Sequence, residues 1–235
     1  MAAAATECDW RVAAALAAVL AGACALGGVW LWHRRNEADI RRRKRIPVGD
    51  RMRVLLGLLD SVLEIERAAG VPLFAIYGTL LGAIRDGRVI CYDYDLDFGV
   101  LGADFARVVA AARGFVRAHP QYRLKVYDLP FVRQAVLVHR ATGLNADVST
   151  YFPSGPHLKR AVVRLYDYYV KGECRRLRAT SVFPLGTARL NGRVVHVPRR
   201  PRHVLRCQYG DGYMTPDHTC DNGCAQCTRV RARPT

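Results

Sequence analysis

The stretch RDGRVICYDYDLDFGV, residues 85–100, carries aspartates at 93, 95 and 97 inside an otherwise apolar run. A short run rich in β-branched and aromatic residues predicts a buried strand. Strand side chains alternate between faces, so the three carboxylates are expected to project together, about 7 Å between successive ones. Tyr92, Tyr94, Leu96 and Phe98 would take the other face. Like charges gathered in this way repel, and burying them without a compensating cation is costly. The stretch calls for a bound metal ion.

Two neighbouring features strengthen that reading. Upstream, the strand-like FAIY runs into Gly78-Thr79, after which TLLGAIRDG reads as a short helix. Glycine permits a tight turn, and a helix start offers free N–H groups and a positive dipole end to phosphate. Downstream, Asp147 in LNADVSTYF is a lone carboxylate among small and apolar residues of a separate predicted strand. Three carboxylates converging on one sheet edge beside a strand–Gly–helix turn suit one or two Mg²⁺ ions, or Mn²⁺, gripping a diphosphate.

The rest of the domain is a mixture of helices and strands. Met52, Leu55, Leu58, Leu59, Val62 and Ile65 make a helical stripe after Asp50, a candidate N-cap, ending at Ala69-Gly70. A second long helix is expected over DFARVVAAARGFVRAH, then strands at LKVYD, FVRQAVLVH and NADVSTYF. KRAVVRLYDYYV reads as helical, ATSVFPLGTARLNGRVVHVP as a hairpin turning at Asn191-Gly192, and RPRHVLRCQYGDGYMTP as a short helix leading into a turn. The expected fold is α+β (mixed α/β), one sheet flanked by helices.

Residues 12–32, VAAALAAVLAGACALGGVWLW, form an uncharged apolar run long enough to cross a bilayer as a helix. Trp10, Trp30 and Trp32 stand at its ends as interfacial anchors do. The expected organisation is a tail at 1–11, a transmembrane anchor at 12–32, a basic linker at 33–47, the folded domain at 48–216 and a cysteine-rich tail at 217–235. The formal net charge is +16, from 36 Lys+Arg against 20 Asp+Glu. Such a surplus favours anionic partners. The positive residues are spread along the chain without aromatic–basic interleaving, so nucleic-acid binding is not expected. RRRKR at 41–45 follows the apolar run, and the positive-inside rule would place the domain in the cytosol.

The stretch YGTLLGAIRDGRVICYDYDLDFGV is similar to the signature of the LicD/fukutin family, in which GTLLGA-R-x-G precedes a run of aspartates. The resemblance continues at DVSTYF and at FPLGTARLNGRVVHVP…YGDGYMTP, covering about Val71 to Pro216. It implies a nucleotidyltransferase-like central sheet flanked by helices. It also implies an enzyme that moves a phosphorylated alcohol, of the phosphocholine or ribitol or glycerol phosphate type, from a CDP-linked donor to a glycan or glycolipid hydroxyl, releasing CMP. Asp95 and Asp97 match the metal-binding pair, Asp93 the first acid of the run, and Asp147 the third carboxylate, a metal ligand or proton acceptor. Those four are the expected catalytic residues. Gly78 and Thr79 would cradle donor phosphates, and Arg85 would neutralise charge developing there. Tyr94 replaces an Asp and Cys91 a Pro found in many relatives. Eukaryotic glycan-modifying relatives imply a domain inside an ER/Golgi-type secretory membrane, against the charge rule.

Eight cysteines are present. Cys220, Cys224 and Cys227 have C-x3-C-x2-C spacing, with Cys207 upstream as a candidate fourth ligand for a structural Zn²⁺. Disulfides, if the domain is luminal, and free thiols are the rival readings. Two other functions stay open beside the transferase: nucleotidylyl transfer on the same fold, and a catalytically silent membrane scaffold.

Overall fold

The structure, a computed structural model, describes residues 38–129, 132–160 and 177–215. The chain divides into two units, 1–45 and 46–235. Of the first, residues 38–44 are helical. The apolar run 12–32, residues 161–170 of the helix expected at KRAVVRLYDYYV and the tail cysteines at 220, 224 and 227 lie outside the described residues. The first two residues of that expected helix, Lys159 and Arg160, are strand instead, paired with Phe152 and Tyr151. Among those described, no helix is long and apolar enough to cross a membrane.

The second unit opens with α1 (Val48–Ala69), which starts after Pro47 with Asp50 in its first turn rather than at its cap. It ends where Gly70 takes a left-handed conformation, φ 60°, and returns its N–H to Arg67. Then come β1 (Phe74–Ala75), α2 (Tyr77–Arg85), β2 (Asp95–Leu101) and α3 (Phe105–Ala118). β3 (Tyr122–Leu129), β4 (Val132–His139), β5 (Asn145–Ser154), β6 (His157–Arg160) and β7 (Leu177–Arg178) follow. α4 (Ala179–Val182), the hairpin β8 (Gly186–Leu190) and β9 (Arg193–Val197), and α5 (Pro201–Tyr209) complete it.

The strands form one sheet in the order β3-β4-β5-β2-β1-β9-β8, with β6 added to β5 and β7 to β6. β2 runs parallel to β5 and β1 parallel to β9; the other pairs are antiparallel. The mixed α+β fold read from the sequence is therefore present. Alternation sorts the central strands into two faces. Leu96, Phe98 and Val100 of β2 lie level with Ala146, Val148 and Thr150 of β5. On this side Val62 and Ile65 of α1 and Val108 and Ala112 of α3 meet Leu137 and Val148. Leu55, Leu58 and Leu59 of α1 are wholly buried, each worth about 1.5–3 kcal/mol relative to exposure. The opposite face carries Asp95, Asp97 and Gly99 beside Asn145, Asp147 and Ser149.

The hairpin turn falls at Asn191-Gly192, as the sequence predicts, with φ of 50° and 81°. The Asn191 side chain also works at a distance: its Oδ1 accepts the Val89 N–H at 2.7 Å, and its backbone N–H donates to Gly87. The hairpin thereby fixes the loop that leads from α2 to the aspartates.

Candidate active site

The acid run is not a single strand. β2 begins at Asp95, and Asp93 stands in the turn before it, its N–H donating to the Ile90 carbonyl at 3.1 Å. The expectation of three aspartates on one strand face is thus corrected to two. Asp95 and Asp97 share the face; the register places Asp97 directly beside Asp147 of β5, and Asp95 beside Asn145. Hydrogen-bonded strands are about 4.8 Å apart, so the two paired carboxylates are close neighbours.

Asp147 is held from two sides. Gln134 Nε2 of β4 donates to one of its oxygens at 2.7 Å, and Asn145 Nδ2 donates to the other. Asn145 precedes Asp147 by two positions on the same strand and so shares its face. That alternation was a signal in the sequence, whereas nothing there marks Gln134.

Gly78 and Thr79 lie inside the first turn of α2 rather than in a loop before it. A β-carbon at Gly78 would fall on the Asp93 carboxylate, so glycine here admits Asp93 to the helix start, where a negative charge is favoured. Thr79 is buried, and its Oγ1 accepts the Asp97 N–H at 2.8 Å. The expected phosphate cradle is therefore, in part, a clamp that fixes β2 to α2. Thr79→Val leaves that N–H without its partner and is expected to cost about 1–3 kcal/mol, read by urea unfolding, with Thr79→Ser close to wild type. Tyr77, which opens α2, has φ 47°, a left-handed conformation that a bulky residue keeps only when its surroundings impose it.

The charges around Asp93 come from elements far apart in sequence. Arg85 is not an open guanidinium facing solvent: its side chain is 5 % exposed and forks onto Asp86 Oδ2 at 3.0 and 2.8 Å. Arg51 of α1 is also buried and donates to the Cys91 carbonyl at 2.8 Å. Both cations pull the Asp93 pKa down, but burial first and Asp97 second outweigh them and raise it to about 7. Arg51 escaped the sequence reading because an arginine in a first helical turn reads as solvated. Tyr209, the last residue of α5, was missed as well. Its ring is partly exposed, and its hydroxyl pKa is raised by burial and then by Asp93, Asp97, Tyr77 and Asp95.

The oxygen-rich set of Asp95, Asp97 and Asp147 has the chemistry of a hard divalent-cation site, with like charges packed around a raised Asp93 pKa. Among the described residues no group of three or more His, Cys, Asp or Glu side chains is arranged so that it could hold a metal ion as it stands. Of the candidate zinc set, Cys207 is disulfide-bonded, as is Cys91, so Cys207 offers no free thiolate. The other three of that set are among the residues not described. A separate cleft of about 860 Å³, lined by Glu66, His196, Arg67 and Val194 among others, contains none of these aspartates.

Residues 70–200, more than half of the chain, match the family model LicD/FKTN/FKRP, nucleotidyltransferase domain. The chain belongs to the LicD/FKTN/FKRP family. Within the matched span fall Gly78, Thr79, Arg85, the four aspartates and both amides on Asp147; Arg51 and Tyr209 fall outside it. Membership in the LicD/FKTN/FKRP family points to a transferase of the phosphotransferase or nucleotidyltransferase kind. A crystal structure of ANT(2")-Ia in complex with adenylyl-2"-tobramycin is similar over 60 % of this chain and 67 % of that one, at 15 % identity and a TM-score of 0.40. No curated protein matches the chain.

Proposed function

We propose that the chain is a membrane-anchored, Mg²⁺- or Mn²⁺-dependent transferase. It would move a phosphorylated alcohol from a CDP-linked donor onto a glycan or glycolipid hydroxyl. The observation that carries this reading is the pairing of Asp97 with Asp147 on adjacent parallel strands, with Asp95 on the same face, inside a LicD-family domain.

Each residue then has a defined task. Asp95, Asp97 and Asp147 would hold the divalent cation, which when bound supplies charge neutralisation at the donor diphosphate. Thr79 keeps Asp97 in place through its backbone, and Gln134 and Asn145 fix the orientation of Asp147. Arg85 and Arg51 supply positive potential to the acid turn from buried positions. The acceptor hydroxyl oxygen forms the new bond to the distal phosphorus, the bond from that phosphorus to the bridging oxygen breaks, and CMP departs with the bridging oxygen. The hydroxyl proton passes to a carboxylate of the cluster.

The disulfides at Cys91 and Cys207 support a domain in an oxidising compartment, hence on the luminal side of a secretory membrane, with residues 12–32 as the anchor. The test is product analysis with the full-length chain in detergent, given CDP-ribitol, CDP-glycerol or CDP-choline and an acceptor glycan. CMP release coupled to a phosphodiester on the glycan is the expected result. Release of pyrophosphate from a nucleoside triphosphate would instead establish nucleotidylyl transfer. No turnover and no donor binding would leave the scaffold reading.

A further inference from the structure

Two of the groups expected to receive donor phosphate are already engaged. Asp93 lies against Gly78 at the start of α2, and the Arg85 guanidinium is forked onto Asp86. Cations that share a face with Asp97 and Asp147 lie farther across the sheet. The register carries that face outward from β5. Val138, Val136 and Gln134 of β4 stand beside Asn145, Asp147 and Ser149, and Arg123, Lys125 and Tyr127 of β3 stand beside those three in turn. Arg123, Lys125 and Tyr127 therefore occupy alternate positions on the acid-bearing face. All three are exposed, Tyr127 by 42 %, and Leu129 follows on the same face at 56 %. The one acid of β3, Asp128, belongs to the opposite face and pairs with Arg133 at 2.7 Å.

Two links join this edge of the sheet to the aspartates. Gln134 lies directly opposite Tyr127, and its Nε2 donates to Asp147 at 2.7 Å. Lys125 lies in one row with Val136, Asp147 and Asp97. β3 is two strand spacings from β5, about 10 Å, a span that an extended nucleotide covers with its distal phosphate at Asp147.

We infer that the exposed β3–β4 face is the nucleoside subsite of the donor, with the base stacked on Tyr127 and phosphate charge met by Lys125 and Arg123. This inference rests on the transferase reading of the aspartate site. The face has an apolar end, Tyr127 and Leu129, and a cationic end, Arg123 and Lys125, which matches a ligand that is a flat ring at one end and an anion at the other. Aromatic stacking beside cations holds nucleotides whatever the base, because every base has a π face. A neutral sugar on the same ring would leave both cations unused.

The probes are CDP and inorganic pyrophosphate, a diphosphate with neither base nor ribose. Each is titrated calorimetrically into the full-length chain in detergent with saturating Mg²⁺, against Tyr127→Ala, Tyr127→Phe and Arg123→Gln/Lys125→Gln variants. CDP affinity is expected to fall about tenfold in Tyr127→Ala and to be kept in Tyr127→Phe, with pyrophosphate affinity the same in both. Arg123→Gln/Lys125→Gln should weaken both ligands and flatten their salt dependence. Because the three side chains are exposed, the melting midpoint should stay as in wild type, which separates lost binding from lost folding. Unchanged CDP affinity in Tyr127→Ala, or pyrophosphate affinity that falls as far as that of CDP, would overturn the inference. So would unchanged CDP affinity with a raised KM for the glycan, which would give this face to the acceptor. Failure of both CDP and pyrophosphate to bind the wild type is a different result and would overturn the transferase reading itself, and the subsite with it.

Discussion

Asp97→Asn lowers turnover about a thousand-fold or more while raising the stability of the metal-free protein. Both effects have one cause. Asp97 lies beside Asp147 in register and is second only to burial in lifting the Asp93 pKa, so its charge is held against repulsion. Removing the charge relieves that repulsion and keeps the side chain's size and the Thr79 contact to its backbone. It also removes a central donor for a divalent cation; loss of one preorganised electrostatic group at a reacting centre typically costs about 10²–10³ in rate, and loss of a metal ligand more. Kinetics and urea unfolding on the same preparation check the pair of outcomes. An Asp97→Asn protein that turns over within tenfold of wild type would remove Asp97 from the machinery. One that is less stable without metal would remove the repulsion.

The second large effect is a dependence of stability on pH that a cation abolishes. Asp93 has a pKa near 3.8 when the chain is unfolded and about 7 when it is folded. Below about pH 4 it is protonated in both states and favours neither. As the pH rises the unfolded chain releases the proton while the folded chain keeps it, so stability declines through this range and levels off above about 7. The full change corresponds to at most about 4 kcal/mol at roughly 1.4 kcal/mol for each tenfold in affinity for the proton. Thermal melts of the metal-free chain from pH 4.5 to 8 should therefore show a falling midpoint. Saturating Mg²⁺ should restore the midpoint at pH 8, and Asp93→Asn should flatten the profile. A midpoint that rises across this interval in the metal-free wild type would contradict a buried Asp93.

What was legible in the sequence divides by physical type. Alternation on strands put Asp95 and Asp97 on one face, because a two-residue period is a property of the chain itself, and Asp147 stood out as a lone carboxylate in an apolar strand that the register sets beside Asp97. Asn145 belonged to the same pattern but carried no charge to draw notice. Asp93 was misplaced because Tyr92-Asp93-Tyr94 has strand-like composition; the turn there is set by the Asp93 N–H to Ile90 bond and by the hairpin's hold on Val89. Arg51, Gln134 and Tyr209 reach the site from α1, β4 and α5 through tertiary packing alone, and no local pattern announces such residues. The sequence points to Thr79 for phosphate binding; its buried hydroxyl also engages the strand that carries the acids, a contact no local pattern shows. The disulfide at Cys207 removed one member of a zinc set whose spacing had looked plausible.

The most direct test of the central claim is calorimetric titration of CDP-ribitol, CDP-glycerol and CDP-choline into the full-length chain, with and without Mg²⁺, beside an Asp95→Ala/Asp97→Ala variant. A cation-bridged diphosphate site predicts binding of one donor only when Mg²⁺ is present and its loss in the variant, whose fold is checked by its melting transition. Donor binding that is equal without Mg²⁺, or that survives in the folded variant, would contradict it.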